Sequence, residues 1–178
     1  IDNKTTDLGD SVWKQPVESY WSNERFEAEI ALLRRLPIVF CLSAMLPDKG
    51  SYIARKAAGT PLLVVRGDDG RVRAFINACR HRGMQVASNE GCARSFVCPY
   101  HAWNYGLDGQ LKYIPGESGF PGIAREGNGL VEVSALEKGG LVYVNQSEPI
   151  DPAAIEDIPD FFTDQQIYFD QSEYVDDA

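Results

Sequence analysis

A mainly β, antiparallel sandwich preceded by one N-terminal helix is the fold the sequence predicts. Three observations carry it. From Ile38 onward, short runs of apolar and β-branched residues alternate with turns containing Gly, Asp or Pro. Before Pro37, one stretch alone has convincing helical periodicity. A length of 178 residues with 44% apolar content is enough for one domain with a sizeable core.

The elements follow in chain order. Ile1 to Asp10 is polar and acidic, without the charged start and apolar core of a secretory signal. Ser22 to Arg35 reads as the helix. Ser22 or Asn23 caps it, Glu24 favours the first turn, and Phe26, Ile30 and Leu33 recur on one face, so the helix is expected to serve packing. Arg34 and Arg35 at its carboxyl end complement the dipole, a reading preferred to a docking patch. Pro37 stops it. Candidate strands are Ile38 to Leu42, Tyr52 to Lys56, Leu62 to Arg66, Val72 to Ile76, Ser95 to Val97, Val131 to Ser134 and Leu141 to Asn145. Turns fall at Pro47-Asp48-Lys49-Gly50, Asp68-Asp69-Gly70, Asp108-Gly109 and Gly139-Gly140. The hairpin from Leu62 to Ile76 is the clearest, because two β-branched runs flank an Asp-Gly turn. The chain thus divides into an N-terminal segment and helix over residues 1–36, a β domain over 37–146 and an acidic tail over 147–178.

The longest apolar stretch, around Leu36 to Leu46, is interrupted by Pro37 and is far too short to span a bilayer. A cytoplasmic protein is expected, in which Cys41 and Cys92 stay free thiols.

The clear hairpin leads directly into Cys79-Arg80-His81; after sixteen intervening residues comes Cys98-Pro99-Tyr100-His101. These two arms hold both histidines of the chain and two of its four cysteines, a placement that packing does not explain. A structural zinc site usually pairs Cys with Cys and His with His, whereas here each arm carries one thiol and one imidazole. Mixed arms suit two unlike metal positions, one taking a Cys from each arm and the other a His from each. A Rieske [2Fe–2S] cluster is built in that way. Cys92 lies between the arms and is the one alternative donor, disfavoured because no His is near it. A purely structural zinc module remains the bland alternative.

The flanking residues extend the match. Cys79-Arg80-His81-Arg82-Gly83 and Cys98-Pro99-Tyr100-His101-Ala102-Trp103-Asn104-Tyr105, followed by Leu107-Asp108-Gly109, closely resemble the cluster-binding loops of bacterial Rieske oxygenases. In particular they resemble the N-terminal domain of the α subunit of aromatic-ring-hydroxylating dioxygenases, and the likeness runs from about Trp21 to Asn145. Ala102 departs from the Gly that the family more often carries, and its single methyl is expected to be tolerated. The resemblance implies a Rieske-type (ISP-like) antiparallel β-sandwich with a cluster-binding subdomain. It further implies that Cys79 and Cys98 hold the buried iron while His81 and His101 hold the outer one. Electrons would come from NAD(P)H through a reductase, often with a ferredoxin, and pass to a mononuclear Fe(II) in a catalytic domain. In that family the recipient domain usually belongs to a neighbouring α subunit of a trimer, and both atoms of dioxygen add to an aromatic ring.

The Rieske proteins of cytochrome bc complexes carry a further Cys in each arm, joined by a disulfide. Met84 or a neighbour and Tyr100 stand there in this chain, so the resemblance implies no bridge. Trp103 stands where that branch has a serine thought to hydrogen-bond the cluster. Fewer hydrogen bonds to sulfur point to the lower end of a range of roughly −150 to +300 mV. Tyr105 remains placed to donate one.

Around the arms, Pro99 and Gly83 are expected to serve tight loop geometry, Gly83 by letting backbone approach a cluster sulfide. Trp103 reads as a lid against water in preference to an electron conduit. Arg80 and Arg82 either guide an acidic donor or are ordinary surface arginines. The loop from Tyr113 to Gly129 is too rich in Gly and Pro for regular structure and is expected to pack through Ile114, Phe120 and Ile123. Its glycines lack phosphate-loop spacing, which excludes nucleotide binding there.

After Lys138 there is no Lys or Arg, while ten acidic residues follow, so the net charge of −9 belongs to the tail. Such a chain is not suited to nucleic acid or anionic membranes. Phe161, Phe162, Ile167, Tyr168 and Phe169 nonetheless mark the tail as a segment that packs on something. No His follows His101, so the two His of a mononuclear iron site are not supplied by this chain, and the tail falls where a linker to a catalytic domain would lie. A self-contained Rieske ferredoxin is the alternative, disfavoured by the helix and the long tail.

Overall fold

The computed structural model describes residues 14–155; Ile1 to Trp13 and the chain beyond Ile155, with the tail aromatics, lie outside the described residues. The helix α1 spans Asn23–Arg35, and ten strands follow: β1 Ile38–Leu42, β2 Ser51–Ala57, β3 Thr60–Arg66, β4 Val72–Ile76, β5 Asn89–Cys92, β6 Phe96–Val97, β7 Asn104–Tyr105, β8 Leu111–Tyr113, β9 Glu132–Lys138 and β10 Leu141–Asn145. Seven of them form an antiparallel sheet in the order β1-β10-β9-β4-β3-β2-β5, and β6-β7-β8 form a small second sheet. Among the described residues the fold is mainly antiparallel β with one α-helix, as the sequence predicts.

Strand β3 organises both halves of the core. All of Leu62, Leu63, Val64 and Val65 are fully buried, which requires cover on both faces of the sheet. Because side chains alternate, Leu62 and Val64 join Phe40, Leu46, Ile53, Val142 and Val144 on one side. Leu63 and Val65 join Phe75, Phe96, Trp103, Tyr105, Leu107 and Leu111 on the other. The second cluster therefore welds the small sheet, which carries the second arm, onto the large one, which carries the first.

The expected hairpin pairs Leu62 with Ile76 and Arg66 with Val72 around Gly70, whose φ of 77° is the left-handed conformation its turn needs. Gly139 and Gly140, at φ 59° and 76°, turn β9 into β10 as a primed hairpin. That turn extends β9 to Lys138, past the expected end at Ser134, since every residue through Lys138 finds a partner on β10. Strand β5 was not foreseen. Its residues, Asn89 to Cys92, are all exposed, so it is held by backbone pairing to β2 and leaves no apolar signal. Strands β7 and β8 are two and three residues long, below what periodicity can reveal.

Ser22 caps α1, accepting from the Arg25 amide at 3.2 Å. The helix buries none of its residues, and Phe26 and Leu33 stay 57% and 41% exposed, so it is not the packing element its periodicity implied within these residues. It is tied instead at its carboxyl end. The Arg34 carbonyl accepts from the Gln146 amide and Ser147 Oγ, and the Arg35 carbonyl from Asn145 Nδ2. Arg34 also donates to the Ala58 carbonyl, giving it a structural task beyond the dipole. Among the described residues, no helix is long and apolar enough to cross a membrane.

Arg66 on β3 makes a two-pronged ion pair with Glu137 on β9, at 2.9 and 2.8 Å, bridging strands on either side of β4. The Arg66 hydrogen bond holds the Glu137 carboxyl below its ordinary value of 4.5. A depressed folded pKa stabilises the protein above the unfolded value and loses that contribution as pH falls through the folded one. Glu137→Gln is expected to cost about 1 kcal/mol in urea unfolding at neutral pH. The gap between variant and parent should close as pH is lowered through the carboxylate range.

Candidate metal centre

The two cysteine arms close in the same way. In the first, the Cys79 amide donates to the Met84 carbonyl at 2.7 Å and the Gly83 amide donates back to the Cys79 carbonyl at 2.8 Å. In the second, the Cys98 amide donates to the Trp103 carbonyl at 2.8 Å and the Ala102 amide to the Cys98 carbonyl at 2.9 Å. Each arm is thus a reversal in which the fourth residue after the Cys takes a left-handed conformation: φ is 74° at Gly83 and 55° at Ala102. A Cβ at Gly83 would meet no protein atom, so what the protein itself asks of this glycine is its φ.

Strands aim the arms. β4 ends at Ile76, and the buried Asn77 then accepts from the Val86 amide at 2.9 Å and donates to the Ala87 carbonyl at 2.8 Å. That side chain pins the departure of the first arm to its return. Its role was not read from the sequence, because its partners lie nine and ten residues further along the chain. The second arm leaves β6 and returns through β7, paired Val97 to Asn104 and Phe96 to Tyr105.

This framework sorts the four candidate donors by depth. Cys79 and Cys98 are each 3% exposed, His81 is partly exposed and His101 exposed. The imidazole centroids lie 4.7 Å apart. His81 stacks on the buried Trp103 at 5.0 Å and 9°, and meets Phe120 edge-on at 5.6 Å and 90°. His101 lies against the ring of exposed Tyr100 at 3.8 Å. Burial lowers the His81 pKa, with His101 and Arg82 adding to the effect, so the neutral imidazole that binds metal is favoured.

Tyr105 supplies a hydrogen bond to the buried side. Its hydroxyl accepts from the Arg80 amide at 3.0 Å and lies 3.1 Å from Cys79 Sγ. The amide can only donate, so the phenol proton is free to point at sulfur. Burial, reinforced by the Cys79 contact, pushes the Tyr105 pKa up and keeps that proton in place.

The residues fit a binuclear group. Two buried thiols, together with two more exposed imidazoles whose centroids lie 4.7 Å apart, are the mixed soft and borderline donor set that such a group takes. Trp103 Nε1 is buried beside His81 without a partner among the described residues, a donor that an inorganic sulfide can accept from. The remaining cysteines lie elsewhere. Cys92 is exposed on β5 with its thiol 3.5 Å from the Lys49 carbonyl, and burial pushes the Cys41 thiol up to about 11, so it stays protonated.

The structure separates Arg80 from Arg82. Arg82 lies over the Tyr100 ring at 5.8 Å, whereas Arg80 lines an open groove of about 680 Å³ with Phe75, Lys112 and Arg125. Trp103, 2% exposed and flat against His81, has the burial expected of a lid. The contact of Phe120 with His81 was missed, since nothing in a Gly- and Pro-rich loop reports where it folds back.

A family model described as the Rieske [2Fe-2S] domain matches residues 37–133. The carnitine monooxygenase oxygenase subunit of Acinetobacter pittii is 33% identical over 155 residues, which cover 85% of this chain and 41% of that protein. The large oxygenase component of the 2,4-dinitrotoluene dioxygenase system of Burkholderia sp. is 36% identical over 129 residues, 70% of this chain and 29% of that protein. Among solved structures, a quaternary ammonium Rieske monooxygenase in complex with L-carnitine superposes with a TM-score of 0.78 at 30% identity, covering 89% of this chain and 45% of that one. The chain therefore spans less than half the length of these relatives.

A left-handed conformation costs an L-residue about 1–2 kcal/mol, part of which glycine returns through its greater freedom when unfolded. Ala102→Gly is accordingly expected to raise stability by about 1 kcal/mol in chemical denaturation, while Gly83→Ala lowers it by a similar amount. An Ala102→Gly variant less stable than the parent would contradict the conformation described for this arm.

Proposed function

The chain belongs to the Rieske [2Fe–2S] domain family, and from that membership we propose that Cys79, His81, Cys98 and His101 hold its cluster and that the domain passes single electrons. The observation that carries the assignment is the pair of like-closed arms, which bury two thiols beneath two adjacent imidazoles. A bound cluster of this type supplies a one-electron couple, its potential set by the donor set and by hydrogen bonds to sulfur. Cys79 and Cys98 hold the inner side, and His81 and His101 present the outer side to a redox partner. Tyr105 aims its hydroxyl proton at Cys79 Sγ, and Trp103 keeps water from the face of His81.

The chain is homologous to the α subunits of Rieske non-haem iron oxygenases. In the whole protein, we propose that a reductase or ferredoxin delivers electrons to this domain. The acceptor is a mononuclear Fe(II) in a catalytic domain, belonging to a neighbouring α subunit in a trimer. Residues 37–146 would then be the cluster domain and residues 147–178 the lead toward the catalytic part, in a cytoplasmic protein whose Cys41 and Cys92 remain thiols.

The substrate expectation of an aromatic ring gains support from the likeness to the dinitrotoluene dioxygenase component. The longer alignment to a carnitine monooxygenase, and the likeness to a solved quaternary ammonium monooxygenase, support a trimethylammonium substrate more strongly. Supplying the full-length oxygenase and its reductase with carnitine-type substrates and with aromatic hydrocarbons, and assaying product, separates the two. A self-contained ferredoxin would hydroxylate neither.

For the domain itself, the purified chain is expected to contain iron and acid-labile sulfide in equal amounts, and to show a paramagnetic signal only after reduction. Zinc without sulfide in anaerobically handled protein would overturn the cluster assignment. A hydrogen bond from Tyr105 favours the reduced, more negative state, so Tyr105→Phe should lower the midpoint potential by ~60 mV, the equivalent of a tenfold change for one electron.

A further inference from the structure

The segment from Ile114 to Leu130 leaves the core and re-enters it, its two ends buried at 1% and 7% exposure. Gly116, Gly122 and Gly127 along it have φ of 64°, 85° and 83°, with open space where a side chain would stand, so they shape its path rather than admit a neighbour. One guanidinium closes the loop. Arg125 Nε donates to Glu117 Oε1 at 2.9 Å, its Nη2 donates to the other carboxylate oxygen, and its Nη1 donates to the Lys112 carbonyl at 2.8 Å. Both limbs of the loop are thereby tied to β8. At the turn between them, Phe120 is partly buried and packs against the core.

Phe120 meets two rings at once. It lies edge-on to His81 at 5.6 Å and 90°, and edge-on to Trp103 at 5.7 Å and 82°, while Trp103 and His81 are stacked. His81 therefore sits in an aromatic corner, whereas His101 has Tyr100 beside it and is exposed. We infer that Phe120, held down by the Glu117–Arg125 pair, is a positioning residue for His81 that seals the His81 side of the centre against water. The inference rests on the cluster reading above and extends it to a loop outside both arms. An added electron adds negative charge, which water stabilises better than an aromatic wall does. Opening the corner must then favour the reduced state and raise the potential.

The test compares Phe120→Ala, Phe120→Leu and Arg125→Gln with the parent chain, measuring iron and sulfide content, the paramagnetic signal of the reduced protein and the midpoint potential. Phe120→Ala is expected to favour reduction by up to about tenfold, an upward shift of ~60 mV for one electron. Phe120→Leu, which keeps an apolar wall, should shift it less than half as far. Arg125→Gln frees the loop without touching the ring and should move the potential the same way as Phe120→Ala. A parent chain without iron and sulfide would remove the cluster reading itself. A fully loaded Arg125→Gln protein whose loop amides exchange faster while its potential stays at the parent value would overturn the inference alone, including where Phe120→Ala fails to fold.

Discussion

Two sulfurs must lie in the core while the imidazoles that follow them two and three residues later reach the surface, and the rest of the structure is arranged to meet that constraint. Each arm reverses through a residue in the left-handed conformation, Gly83 in one and Ala102 in the other, at the same offset from Cys79 and Cys98. Matching amide bonds from each cysteine across its arm lock the reversals. The arms differ in where the histidine falls. That difference leaves His81 against the aromatic interior and His101 at the edge, so one imidazole is walled and the other presented.

Rigidity at the arms comes from the sheets behind them. Strand β3, buried on both faces, shares one cluster with Phe75 of the large sheet and with Phe96, Tyr105 and Leu111 of the small one, so neither arm can move without disturbing the core. Tyr105 links packing to electronics directly. Its ring is fully buried in that cluster, and its hydroxyl joins the sulfur of one arm to the Arg80 amide next to it. The hydrogen bond to the Cys79 sulfur is therefore positioned by the same contact that holds the two sheets together.

Most of this was legible in the sequence for physical reasons that differ by element. β3 and β4 announced themselves through β-branched runs about an Asp-Gly turn, and the four candidate donors through the rarity of His and its spacing from Cys. Strand β5 was silent because Asn89-Glu90-Gly91-Cys92 buries nothing. The helix misled: Phe26, Ile30 and Leu33 recur on one face, yet the described residues bury none of them, and hydrogen bonds to the Arg34 and Arg35 carbonyls hold the element instead. Ala102 was read as a tolerated methyl, whereas its φ shows that the residue carries a conformational cost. Asn77 and Phe120 act through contacts ten and thirty-nine residues away, which no local pattern encodes.

If two histidine nitrogens, one from each arm, bind the same metal of a binuclear group, electron–nuclear double resonance on the reduced protein, grown with 15N-labelled histidine, must show two strongly coupled histidine nitrogens. Replacing His101 should leave one. A signal with no directly bound nitrogen, or one that survives unchanged without His101, would rule this coordination out.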